Sequence, residues 1–310
     1  MPIRIAVFEP PLHAPHRIIP VKDSAKGFSM PGKPAPADTI RRHFPTFITR
    51  GKRFAVTAED ILQRALVAIG LRQPESRISA DAQNYWRQPS GPRWSADSHW
   101  RDSSAFRGND LWQKIGQEHL ALFEAGARMT EFARPWKRVV EWGCGGGANA
   151  VRFAPRAGEF IGVDISTESL AECGKQVANA CDTPFLPVII EVAEPEAALG
   201  KIDGECDVFL SFYVFELIPT PEYGERLLRI AHELLAPGGL ALIQIKYDAG
   251  TWRTRPRRRS YARGLADMTT YRVEEFWQIA ARCGFTPEAV HLVPRNELDE
   301  RYAYFFLSNR

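Results

Sequence analysis

From Lys137 to the C-terminus, short apolar runs alternate with amphipathic stretches of helical period. The apolar runs predict strands at 138–142, 159–164, 187–192, 206–212 and 239–246, and the stretches between them predict helices at 147–154, 167–180 and 222–235. A helix at 273–283 and a hairpin of strands at 287–293 and 302–308 close the pattern. Strands separated by helices imply an α/β fold: a doubly wound, mainly parallel seven-stranded sheet with helices on both faces.

The pattern upstream is different. Residues 1–50 hold nine prolines, which rules out long helices there and predicts extended or irregular chain. A helix start is read at Thr57, with acids at 59 and 60, and Ile61, Leu62, Ala65, Leu66 and Ile69 then share one face up to Gly70. Residues 84–112 are crowded with aromatics, including Trp86, Trp94, Trp100 and Trp112. A helix at roughly 110–133 follows, with Leu111, Ile115, Leu122 and Phe123 on one side. This divides the chain into an irregular and helical N-terminal extension, 1–109, that acts as a lid, and a main domain, 110–310.

Composition narrows the class. A 45% hydrophobic and 25% charged chain of 310 residues suits a globular protein. It has no run of 18 apolar residues and no signal-like segment near the N-terminus, which points to the cytoplasm and away from a membrane. Five cysteines without Cys-x-x-Cys or zinc spacing are read as free thiols in a reducing compartment, with no metal site. The net charge of +3 is uneven, with Lys and Arg in excess within the first 110 residues. A solvated basic surface explains that excess better than a nucleic-acid arm.

The candidate chemistry lies at Val139-Val140-Glu141-Trp142-Gly143-Cys144-Gly145-Gly146-Gly147, where a strand ends in an acid and a glycine loop begins. A second strand ends in Asp164, placed where a carboxylate can accept from both hydroxyls of a ribose. The pair describes a nucleoside site at the carboxyl edge of a parallel sheet. Gly143-x-Gly145-x-x-Ala148 also permits a dinucleotide reading, and so a nicotinamide-dependent oxidoreductase. Against it, Glu141 is an extra carboxylate where a pyrophosphate would sit, whereas a ligand bearing an amine and a sulfonium suits it.

With Pro237-Gly238-Gly239 turning a helix directly into an apolar strand, the chain resembles the class I S-adenosylmethionine-dependent methyltransferases over about 137–310. Glu141, Gly143, Gly145 and Gly147 match their first motif, Asp164 the acid closing their second strand, Cys206–Pro219 their fourth-strand motif, and 234–239 their Pro-Gly-Gly turn. The resemblance implies a Rossmann-like methyltransferase fold, S-adenosyl-L-methionine as cofactor, and transfer of its methyl group to an oxygen or nitrogen. It places the cofactor against Glu141, Gly143, Cys144, Gly145, Gly147, Asp164, Ile165, Ser211 and Phe212. Glu194 stands in for the acid that many relatives turn toward the adenine. Trp100 and Trp112 of the lid are expected to face the sulfonium.

Tyr213 and Glu216, just past the fourth strand, are the expected catalytic proton acceptors, with His99 as a further candidate. Six arginines in 251–263 are expected beside the substrate opening and suit a phosphorylated or carboxylated small-molecule acceptor. A solvated basic loop explains them equally well. RNA methylation is a weaker alternative, because no RNA-binding module is present. The oligomeric state is not legible.

Overall fold

A computed structural model describes residues 5–6, 58–88, 91–263 and 265–310. The irregular character expected for 1–50 therefore lies outside the described residues, apart from positions 5 and 6. Among the described residues eight strands form one sheet, one more than the seven expected because the short β1 adds to its edge: β1 (Ile5–Ala6), β2 (Arg138–Trp142), β3 (Glu159–Asp164), β4 (Phe185–Ile189), β5 (Cys206–Ser211), β6 (Leu235–Lys246), β7 (Thr286–Arg295) and β8 (Glu300–Ser308). Their spatial order is β1-β7-β8-β6-β5-β2-β3-β4. β8 runs antiparallel to both neighbours, and every other pair is parallel.

The helices are α1 (Ala58–Ala68), α2 (Glu75–Arg87), α3 (Gly91–Asp97), α4 (Leu111–Met129), α5 (Ala150–Phe153), α6 (Thr167–Ala180), α7 (Pro221–Leu234) and α8 (Val273–Arg282). Successive strand side chains point to opposite faces, so β2 feeds two cores. Val140 and Trp142 join α2, α7 and α8 on one side, while Val139 joins α4, α5 and α6 on the other. Burial on both faces is why these strands read as unbroken apolar runs.

Three differences from the sequence reading have physical causes. β4 ends at Ile189, three residues earlier than expected. It is the edge strand, so Pro187 loses no interior ladder bond there, and Ile190–Val192 pass beyond the sheet edge. β6 begins at Leu235, ahead of the expected turn, because Leu235 pairs with Cys206 across a register shift. On α1, Arg64 and Val67 are buried while Ile61, Leu62 and Ile69 are exposed, so the expected apolar stripe is not the packed face. α2 and α3 were not anticipated at all. Ile78 and Ala82 of α2 nevertheless lie in the same apolar cluster as Val140 and Ile161.

Candidate cofactor and acceptor cavity

A parallel sheet binds its ligands beyond the carboxyl ends of its strands, where the connections diverge. A cavity of about 760 Å³, counting the part open to solvent, lies there between β2, β3 and β5 and beneath α2 and α3. Its floor is Gly143, Gly145, Asp164 and Ile165, one side is Ile190 and Val192, and another is Phe212, Tyr213 and Val214. Leu217, Ile218, Tyr223, Leu227 and Tyr261 form the far end, with Ala82, Trp86 and residues 97–99 as the cover.

Asp164 is fixed by the backbone. Its Oδ2 accepts from Gly145 N (3.0 Å) and its Oδ1 from Ser166 N (2.9 Å). Each carboxylate oxygen has a second acceptor site, so the group still has acceptor capacity for a ligand. Burial pushes its pKa up, against the pull of those backbone N–H groups.

The glycines let other parts of the chain close on the loop. Gly145 has φ +49°, and a Cβ there would sit 2.7 Å from the Ser98 carbonyl. Gly146 N donates to that same carbonyl at 2.7 Å. At Gly143 a Cβ would meet Val214 Cγ2 at 2.3 Å. These absent side chains let protein segments close on the loop, with residues 98–100 resting directly on it. Gly147 packs on Cys173 and lies off the cavity wall, and Cys144 is buried with its thiol against Cys173.

Other expected site residues lie elsewhere. Glu194 is exposed and off the wall, because the chain from β4 presents Ile190 and Val192 instead. Ser211 is fully buried, again away from the wall. Trp112 is a core residue whose Nε1 donates to the His99 carbonyl (2.7 Å), and Trp100 packs edge-on against Trp94. Trp86 and Trp142 are the tryptophans that reach the cavity among the described residues, Trp86 being held by its Nε1 donating to Tyr261 Oη (2.8 Å). Glu216 is buried behind the wall, accepting from Tyr302 Oη (2.8 Å), and burial lifts its pKa to about 7.

Of the basic segment 251–263, only Tyr261 lines the cavity among the described residues. Arg259 turns to α1 and the loop after it, donating to Gln63 Oε1 and the Leu71 carbonyl (both 2.8 Å). Among the described residues, no lysine or arginine lies on the cavity wall.

Glu141 is buried beneath the glycine loop rather than in the wall. Its Oε1 accepts from Asn149 Nδ2 (2.8 Å) and its Oε2 has no partner. Burial first, and then the nearby Asp164, lift its pKa to about 8, against the Asn149 hydrogen bond. Asn149 Oδ1 faces His119 Nδ1 (2.8 Å), and His119 Nε2 faces Tyr304 Oη (3.0 Å). Tyr304 Oη meets Asp299 Oδ2, and Tyr213 Oη donates to Asp299 Oδ1 (2.8 Å). A buried polar chain thus runs from the glycine loop to Tyr213 in the wall. Tyr213 holds a left-handed backbone, φ 55°, and its N–H donates to Gln244 Oε1 (2.6 Å). The His119 ring lies flat against Phe212, with centroids 4.1 Å apart. Sequence reasoning missed His119, Asn149, Tyr304 and Asp299. They are distant along the chain, and only the polar interruption of α4's apolar face at His119 hinted at them.

Residues 139–239 match the family described as "Methyltransferase domain". The ubiquinone biosynthesis O-methyltransferase of Psychrobacter arcticus is 26% identical over 187 residues, covering 56% of this chain and 69% of that protein. Its counterpart in Psychrobacter cryohalolentis is 29% identical over 121 residues, covering 37% of this chain and only 43% of its own length. Among solved structures, magnesium protoporphyrin IX methyltransferase from Synechocystis PCC 6803, with bound S-adenosylhomocysteine, aligns at TM-score 0.53 and 12% identity. That alignment covers 75% of this chain and all of that one. An S-adenosylmethionine-dependent methyltransferase from Clostridium acetobutylicum aligns at TM-score 0.50 and 10% identity, covering 62% and 91%. Residues 139–239 carry a methyltransferase domain, and the resemblance to the class I S-adenosylmethionine-dependent methyltransferases is supported. The chain is accordingly a methyltransferase, with S-adenosylmethionine as its cofactor, and the nicotinamide reading is set aside. The two structural likenesses speak to the fold. Among the described residues, no helix is long and apolar enough to cross a membrane, and no three metal-ligating side chains cluster.

Proposed function

We propose that the protein methylates an oxygen, or alternatively a nitrogen, of a small and largely apolar molecule held at the far end of this cavity. The observation that carries the reading is the cavity's continuity. It runs from the Asp164 floor to a wall of Leu217, Ile218, Tyr223, Leu227 and Tyr261, with no cationic side chain among the described residues. The expectation of a phosphorylated or carboxylated acceptor finds no support in that wall. The relatives named for O-methyltransferase activity favour oxygen.

The residues present fit the cofactor. Asp164 is placed to accept from ribose hydroxyls, Ile190 and Val192 offer an apolar slot for a base, and the unpartnered Glu141 Oε2 favours a cation above the loop. When bound, S-adenosylmethionine supplies an electrophilic methyl and a good leaving group. The chain's task is then to align the acceptor and exclude water, effects together worth about 7–11 kcal/mol in well-oriented systems.

Tyr213 is a wall residue and not a base in this reading. Its phenol donates to Asp299, and burial raises its pKa far above the ordinary value. Beyond Asp164, which is placed for the ribose, the described wall groups able to take a proton are Asp97 and His99. Tyr85 Oη donates to Asp97, Arg93 lies 3.5 Å away, and burial raises the Asp97 pKa. A carboxylate of raised pKa is the better acceptor at neutral pH, so Asp97 takes the proton. Incubation with methyl-labelled S-adenosylmethionine and fractionated small-molecule extracts tests the function. Label should enter apolar, uncharged fractions. Label confined to phosphorylated or polymeric fractions would overturn the proposed acceptor class.

A further inference from the structure

The buried chain from Glu141 to Asp299 has a consequence in its hydrogen count. His119 Nδ1 faces the oxygen of Asn149, and its Nε2 faces Tyr304 Oη, which also takes a hydrogen bond from Gln244 Nε2 (2.8 Å). The Gln244 orientation is fixed, because its oxygen already accepts from Tyr213 N. A neutral imidazole carries one N–H and one bare nitrogen. His119 is fully buried, and desolvation pulls its pKa down to about 4, so the ring is neutral at pH 7.

Two complete arrangements satisfy every contact. In the first, Glu141 is ionised and accepts from Asn149 Nδ2, His119 Nδ1–H donates to Asn149 Oδ1, and Tyr304 O–H donates to His119 Nε2. Tyr304 then needs its second hydrogen bond from a protonated Asp299. In the second, a protonated Glu141 donates to Asn149 Oδ1, whose amide has turned over so that Nδ2 donates to His119 Nδ1. His119 Nε2–H then donates to Tyr304, and Tyr304 donates to an ionised Asp299. Both arrangements contain the same atoms, the same single carboxyl proton and the same charge. They interconvert by equilibration with a half-turn of the Asn149 amide, and no other reactant takes part.

We propose that Glu141 and Asp299 share this one proton through Asn149, His119 and Tyr304, and that a cation seated over the glycine loop sends it to Asp299, the group that anchors Tyr213. The inference rests on the cofactor placement proposed above. Without a cation, an ionised Glu141 has a single donor and a bare buried oxygen, whereas an ionised Asp299 keeps the hydroxyls of Tyr213 and Tyr304. The proton therefore resides on Glu141 in the ligand-free protein, with the Asn149 amide turned over from the orientation described above. A positive charge above the loop stabilises the Glu141 carboxylate through the low-dielectric interior and reverses the preference. His119 and Asp299 are positioning residues: they act on the acceptor wall through Phe212 and Tyr213, and the wall senses whether the cofactor is loaded.

The tautomer of His119 reports the state directly. Nitrogen NMR of the full chain labelled in histidine should show His119 protonated at Nε2 in the free protein and at Nδ1 with saturating S-adenosylmethionine. His119→Gln identifies the signal by its loss. 5′-Methylthioadenosine, which lacks the ammonium and the sulfonium, should bind and leave the Nε2 tautomer in place. In Asp299→Asn the new amide donates to Tyr304 permanently, so the Nδ1 tautomer should appear with or without cofactor. Saturable S-adenosylmethionine binding with an unchanged tautomer, or an imidazolium in either state, overturns this proposal alone. Absence of saturable binding overturns it together with the cofactor placement.

Discussion

Glu141→Gln should stabilise the ligand-free protein and weaken its cofactor binding at the same time. Glu141 is fully buried with one hydrogen-bond donor, and its pKa is lifted to about 8 from an ordinary value near 4.5. A folded-state pKa above the unfolded one means that the folded protein binds more protons between those two values. That contribution to stability is fully present below about pH 4.5 and is lost as pH rises through about 8. At about 1.4 kcal/mol per unit, the full shift sets a ceiling near 5 kcal/mol. Relaxation and water entry reduce this to about 2–4 kcal/mol at pH 8.5. Glutamine is uncharged and of the same shape, so it removes the loss and keeps a partner for Asn149. Urea unfolding of both proteins without ligand, at pH 5 and pH 8.5, is the assay. The curves should nearly coincide at pH 5 and separate at pH 8.5 with the variant more stable. Glu216, also lifted, titrates in both proteins and cancels in the difference. A variant whose stability parallels the parent at both pH values would refute the reasoning. The same substitution should weaken S-adenosylmethionine binding by about 10- to 100-fold, the size of a charged hydrogen bond.

Three further outcomes follow from the geometry. Asp164→Asn should raise the Kd for S-adenosylhomocysteine by about 10- to 100-fold in calorimetry, because a neutral amide replaces the acceptor on the cavity floor. Gly145→Ala should cost about 1–3 kcal/mol in thermal unfolding, since its Cβ would meet the Ser98 carbonyl at a left-handed φ. His119 is buried and His99 half-buried at the cavity wall, and desolvation pulls both pKa values down to about 4, below the ordinary 6.5. Their contribution is complete above pH 6.5 and is lost as pH falls toward 4, so the acid limb of the stability profile should flatten in His119→Gln.

The fold was legible where periodicity was unambiguous. β2, β3 and α6 occupy the very residues that the apolar pattern gave them. α2 escaped because its sequence, ESRISADAQNYWR, is polar and buries only Ile78, Ser79 and Ala82. Its contribution to the cavity cover was therefore invisible too. At the site, Asp164 and the glycine loop could be read locally, since a strand end and a turn announce themselves over a few residues. Their packing could not. The loop's glycines meet Ser98 and Val214, and Glu141 meets Asn149, through contacts that no spacing encodes. The expected base Glu216 was displaced by register: past β5, Tyr213 and Val214 face the cavity while Glu216 turns behind them to Tyr302. Which of the two readings of the arginines of 251–263 applies was hidden for a simpler reason. Composition gives their charge but not the direction in which Arg259 points.

The central claim is that an adenosyl-sulfonium cofactor sits between Asp164 and the cover formed by Trp86 and residues 97–99. Calorimetric titration of the wild-type protein with S-adenosylmethionine, alongside NADH, tests it most directly. One saturable site for S-adenosylmethionine and no heat from NADH is the predicted result. Saturable NADH binding without a response to S-adenosylmethionine would contradict the account.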